Sequence, residues 1–327
     1  MIELGAADRA AREEFVLGLR PARDAVDPSR PYGFFVEEEP RGDGGTLRAA
    51  TILLTNRECP WHCLMCDLWK NTLEAPTPKG AIPQQIRFAL ERLPPADTLK
   101  LYNAGSFFDR AAIPREDHEE IASLARGFER VVVECHPALV DDSSLRFRDL
   151  LGGPRLEVAL GLETANEEIL RRLNKGMTVA DFRTAASFLL RNRISLRVFV
   201  LVGLPFLPRK EWAAATRRSV ETSFRAGAGT VSLIPTRLGN GTLEELRRQG
   251  QFQPPTLRDL EMALEDFFEG EEGRAPATGL VLADLWDADA LAAPPCCAAA
   301  RVNRLRKMNL IQRNLPLPPC PSGCRHS

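Results

Sequence analysis

The stretch that decides the fold runs from Thr46 to Cys66, TLRAATILLTNRECPWHCLMC. Its opening run, Thr46 to Thr55, is dominated by apolar and β-branched side chains and reads as a buried strand. Directly behind it Cys59, Cys63 and Cys66 form a Cys-x3-Cys-x2-Cys loop. Thiolates bind the irons of a 4Fe-4S cube, and three closely spaced cysteines leave one iron without a protein ligand. A zinc ion completed by His62 or by a distant ligand would use the same donors, because zinc accepts sets of three cysteines and one histidine.

Outward from this loop, strand-like and helix-like runs alternate. The strands read as Thr98 to Asn103, Arg130 to Cys135, Arg155 to Leu162, Ser195 to Val202 and Thr230 to Pro235, with helices between them. Strand-helix repetition implies parallel neighbours joined by right-handed crossovers. The fold class expected is therefore α/β, a partial (β/α)6 TIM-like barrel with a Cys-rich C-terminal extension. The segments are a lead at 1–45, a core at 46–255 and an extension at 256–327, the last carrying an acidic helical stretch (Asp259 to Glu272) and an apolar run (Gly279 to Trp286).

In such a barrel the C-terminal strand ends line the active site. The chemically distinctive residues fall there: the cysteine loop, Asn103 to Asp109, Glu134 and His136, Glu163, and Gly203 to Pro205. Cys135 has the opposite alternation to Glu134 and is expected to face the helices as a core cysteine.

The 327 residues carry 43 basic and 44 acidic side chains, a formal net charge of -1, so no overall field draws the chain to nucleic acid or an anionic membrane. The N-terminal segment lacks the apolar core of a signal peptide and no segment approaches bilayer-spanning length. The expectation is a cytoplasmic protein without a membrane partner. In a reducing compartment eight cysteines point to metal rather than to disulfides.

Taken together, CPWHCLMCDLW, YNAGSFFD, VECHP, GLETANEEILRRLNKGMT and LVGLPF resemble the radical S-adenosylmethionine (SAM) superfamily, from about Thr46 to Pro235. Within it they look most like the set around the elongator catalytic subunit and the archaeosine-synthase radical SAM subunits. The resemblance implies a 4Fe-4S cluster on Cys59, Cys63 and Cys66 that cleaves SAM reductively to a 5′-deoxyadenosyl radical. It implies an electron donor of flavodoxin or ferredoxin type and a modified nucleoside in tRNA as substrate, with a free small molecule as the alternative substrate. A non-catalytic zinc or iron-sulfur protein is the alternative from another class.

By position, the resemblance puts Gly105 and Ser106 at the SAM methionyl amino group, with Asn103 shaping the same loop, and Glu134 near the ribose. Glu163 and the turn at Pro205 complete that pocket. Met65 stands where many members carry an aromatic residue that leans on adenine, and a thioether still packs on an aromatic face.

Near the C-terminus Cys296, Cys297, Cys320 and Cys324 make a full ligand set for a second iron-sulfur cluster or for zinc, the alternative being a thiol-bearing tail without metal. Between the pairs, Arg301, Arg304, Arg306 and Lys307 read either as a basic patch for RNA phosphates or as a solvated helix face.

Overall fold

A computed structural model of the chain describes residues 8–42, 44–268 and 279–320. Its strands are β1 (Gly33–Pro40), β2 (Thr46–Leu54), β3 (Thr98–Asn103), β4 (Arg130–Cys135), β5 (Arg155–Glu163), β6 (Ser195–Val202), β7 (Thr230–Pro235) and β8 (Leu280–Ala283). They form one sheet in sequence order, with β1 antiparallel to β2 and all other neighbours parallel. The helices are α1 (Arg9–Gly18), α2 (Ala81–Leu90), α3 (His118–Ala125), α4 (Asp142–Leu151), α5 (Glu167–Arg172), α6 (Val179–Arg191), α7 (Arg209–Arg225), α8 (Thr242–Arg248), α9 (Leu257–Phe268) and α10 (Ala298–Ile311).

The α/β reading stands, and β2 to β7 are the six expected parallel strands. The sheet is wider than that: the lead supplies β1 and the extension supplies β8, giving eight strands in a nearly closed barrel. β1 escaped the reading because GFFVEEEP carries three consecutive acids, a pattern that does not look like a buried strand. One of those acids is nevertheless buried, for the reason given next.

Side chains alternate across each strand. On β4, Val131, Val133 and Cys135 enter the apolar core shared with the helices, and Glu134 faces the other way, into the barrel. The barrel interior is partly ionic. Glu39 of β1 accepts from Lys100 Nζ of β3 at 2.5 Å and from both terminal nitrogens of Arg197 of β6 at 2.8 and 2.9 Å. Arg197 Nε donates to Glu157 of β5 at 2.7 Å. Burial alone would raise Glu39, but Arg197 and Lys100 hold its carboxyl well below the usual range.

Among the described residues β8 has no further strand beside it, and α10 lies against both β8 and β1. Asn309 accepts from Ala283 N and donates to Ala283 O, both at 2.8 Å. Gln312 does the same for Val281 at 2.9 and 3.0 Å. Two side-chain amides thus stand in for a neighbouring strand on an edge that would otherwise expose unpaired backbone groups.

Candidate metal and cofactor centre

The cysteine loop follows β2 and is gripped from several sides. Leu64 N donates to Leu173 O at 2.8 Å, and Asn174 Nδ2 donates to His62 O at 3.0 Å. From the segment after β7, Asn240 Nδ2 donates to Leu64 O at 2.7 Å and to Cys66 O at 3.3 Å. Leu64 anchors a second apolar cluster with Val16 of α1, Leu173, Leu243 and Leu246, and Met65 packs partly buried against it. On the outer flank, Glu58 takes Arg20 at 2.5 Å and also pairs with Arg23, while His62 pairs with Glu13 of α1.

Two glycines let other loops close onto this one. Gly105, at φ +128°, rests on Cys59; a Cβ there would stand 2.9 Å from Cys59 Cβ and 3.3 Å from its Sγ. Gly176, at φ +71°, lies on Trp61, with the indole Cδ1 2.6 Å from where its Cβ would be. Only glycine takes both conformations without strain.

The local sequence explains why the segment GLETANEEILRRLNKGMT reaches the loop. Asn166 caps α5 through Oδ1 to Ile169 N at 3.1 Å, and Thr178 caps α6 in a capping box with Asp181. Between the two caps the turn at 174–176 is directed at His62 and Trp61. Trp61 also stacks on His136, with ring centroids 3.7 Å apart.

Inside the barrel mouth, Glu134 is half-buried and accepts from Asn103 N at 3.3 Å. Burial pushes its carboxyl up to about 8, against the opposing pull of Asn103 and Lys175. The Asn103 side chain is 1% exposed, and neither its Oδ1 nor its Nδ2 has a hydrogen-bond partner. Glu163, at φ 62° where β5 ends, accepts from Lys175 Nζ at 2.7 Å. Burial opposes the Lys175 charge, but Glu163 and then Cys63 hold it protonated.

The three loop thiols are buried or half-buried. Burial, then Cys63, pushes Cys59 up to about 12, and Cys63 and Cys66 are raised by burial as well. Such thiols give up their protons as metal binds. Among the described residues these three sulfurs do not gather within 4.8 Å. The residues fit a cluster with a polar ligand beside it: three thiols on a pinned loop, a glycine seated on Cys59, and a partnerless amide next to a half-buried carboxyl.

Of the other residues singled out in the sequence, Ser106 is buried and its hydroxyl donates to Cys135 Sγ at 3.2 Å, so it points toward the helix side. Cys135 is a core cysteine, as expected. Pro205 is buried in the turn after β6. Asn174, Lys175 and Asn240 were missed; the first two sit inside a quoted motif whose polar residues had no assigned contact. Cys296, Cys297 and Cys320 come together, while Cys324 lies outside the described residues.

Of the four basic residues expected as an RNA patch or a solvated face, Arg306 and Lys307 are exposed and Arg301 and Arg304 turn inward. Arg301 is fully buried and donates to Glu261 at 2.6 Å, and Arg304 pairs with Glu265 at 2.8 Å. These cations neutralise the acidic face of α9, which the sequence shows as charge in a helix but not as a partner. No helix among the described residues is long and apolar enough to cross a membrane.

No family model matches the chain. An uncharacterized protein of Methanocaldococcus jannaschii is 24% identical over 251 residues, covering 72% of this chain and 68% of that one. Archaeosine synthase subunit beta of Methanosarcina acetivorans is 26% identical over 227 residues, 66% of this chain and 65% of its own. The protein of that name from Thermococcus kodakarensis is 26% identical over 204 residues, 60% and 63% of the two chains. The alignments to the two named relatives thus span just under two thirds of those proteins. Among solved structures, methylornithine synthase is similar at 14% identity with a TM-score of 0.46, covering 94% of this chain and 87% of that one. Coproporphyrinogen III oxidase from Escherichia coli is similar at 12% identity with a TM-score of 0.44, covering 80% and 55%. The Cys-x3-Cys-x2-Cys loop at the head of a parallel barrel and the similarity to archaeosine synthase subunit beta are the two features on which the chain resembles the radical SAM enzymes.

Proposed function

We propose that this enzyme holds a 4Fe-4S cluster on Cys59, Cys63 and Cys66, binds SAM in the adjoining barrel mouth, and acts on a modified nucleoside in tRNA. The observation that carries the reading is the buried Asn103 amide without a partner, next to Glu134 and two residues from the Gly105 contact with Cys59. A buried amide left unsatisfied costs about 1–3 kcal/mol, which a polar ligand removes.

When bound, the cluster and SAM supply an electron transfer that cleaves the sulfonium and yields a 5′-deoxyadenosyl radical able to abstract hydrogen. The chain's residues do the rest. Asn103 and the backbone at Gly105 offer hydrogen bonds to the polar end of SAM, and Glu134 offers an acceptor or, while protonated, a donor to the ribose hydroxyls. Lys175, held protonated by Glu163, sets a fixed positive charge beside the thiolates. Trp61, His136 and the Leu64 cluster exclude water from the mouth. An external flavodoxin or ferredoxin delivers the electron.

Similarity to proteins named archaeosine synthase subunit beta supports a tRNA base as substrate and a partner subunit in the assembly. After anaerobic reconstitution, dithionite with SAM is expected to release 5′-deoxyadenosine from the wild type and none from Cys63→Ala. Equal release by both would overturn the assignment of the loop. Anaerobically purified protein is expected to carry enriched tRNA. Its absence would favour a free small molecule.

A further inference from the structure

We propose that Cys296, Cys297 and Cys320 hold a single zinc ion, separate from the barrel-mouth centre, that clasps Cys320 back to the start of α10. The sulfurs of Cys296, Cys297 and Cys320 all lie within 4.8 Å of one another, and those of Cys296 and Cys320 are 3.4 Å apart. A tetrahedral ion with Zn–S bonds of about 2.3 Å sets its sulfurs about 3.8 Å apart. A 4Fe-4S cube hands each thiolate to a different iron and needs them roughly 6 Å apart. The observed gathering is that of one ion.

The surrounding chain is arranged to present these thiols. Cys297 is the N-cap residue of α10, and after the helix the chain doubles back along it. Arg304 Nε donates to Leu315 O at 2.8 Å and to Pro316 O at 3.1 Å, which returns Cys320 to the helix start. Arg301, charged and held mainly by Glu261, also donates to the Cys297 thiol. The three gathered ligands are all cysteines, with no carboxylate or imidazole among them. All-thiolate tetrahedral sites select zinc or iron over hard cations.

The test uses the full chain, purified anaerobically, with zinc and iron counted by mass spectrometry of the metals. About one zinc per chain is expected, retained in Cys63→Ala and lost in Cys296→Ser with Cys297→Ser. Cobalt(II) exchanged into the wild type should give the visible bands of a tetrahedral thiolate site, and zinc should protect Cys296, Cys297 and Cys320 from alkylation as mapped by peptide mass. The wild-type readouts do not depend on how the variants fold. Iron near twice the cluster complement without zinc, zinc that leaves with Cys63→Ala instead, or a Cys296–Cys320 disulfide without metal would each overturn the proposal.

Discussion

Glu134 shows how one residue's environment becomes a measurable pH dependence. In the ligand-free protein its carboxyl is raised from 4.5 to about 8 by burial, so between those values the folded chain holds a proton that the unfolded chain has released. Stability therefore falls as pH rises across that window, and each tenfold change in proton affinity is about 1.4 kcal/mol. Glu134→Gln removes the titrating group. The thermal midpoint of Glu134→Gln, relative to wild type without SAM, is expected to gain from pH 4.5 upward and to level off above pH 8. A flat difference would show that Glu134 does not carry the shift.

At the scale of elements, the barrel interior joins four strands through ions: Glu39 on β1, Lys100 on β3, Glu157 on β5 and Arg197 on β6. Arg197→Leu leaves Glu39 with Lys100 alone and Glu157 with Arg130 alone, so the stability read from the urea midpoint is expected to fall by less than the ~3–5 kcal/mol of a fully uncompensated buried charge. A urea midpoint that does not move would mean that water or Lys100 substitutes for it. This network also marks where sequence reading stops. Runs such as RVVVEC and SLRVFVLV announce β4 and β6 through β-branched content, and strict alternation correctly sends Glu134 and Cys135 to opposite faces. Alternation does not tell a charged lumen from solvent, so β1 with its three glutamates stayed hidden until Arg197 and Lys100 were seen opposite it. The cysteine loop was legible because its donors are adjacent in sequence. Asn240, 174 residues further on than Cys66, was not, since only folding brings it to the Cys66 carbonyl.

For the whole molecule, the margin of the barrel depends on a segment that sequence alone sets apart as an extension. Asn309 and Gln312 satisfy both backbone groups of Ala283 and of Val281. Asn309→Leu with Gln312→Leu removes the four hydrogen bonds to β8, each worth about 1 kcal/mol net, and the Gln312 Nε2 bond to Asn309 O. A lower melting temperature is expected, together with easier proteolysis near the C-terminus. A variant as stable and as resistant as wild type would show that apolar packing of α10 suffices to close the barrel.

The same pairing makes the last strand a built-in reporter. The Val281 and Ala283 amide protons are held by side chains of the docked helix and its end rather than by a flanking ladder. Their hydrogen-deuterium exchange therefore follows how often α10 lifts away, while the amides of β4 and β5 follow opening of the whole sheet. Comparing the two rates separates local release of the C-terminal clasp from global unfolding in a single unmodified sample.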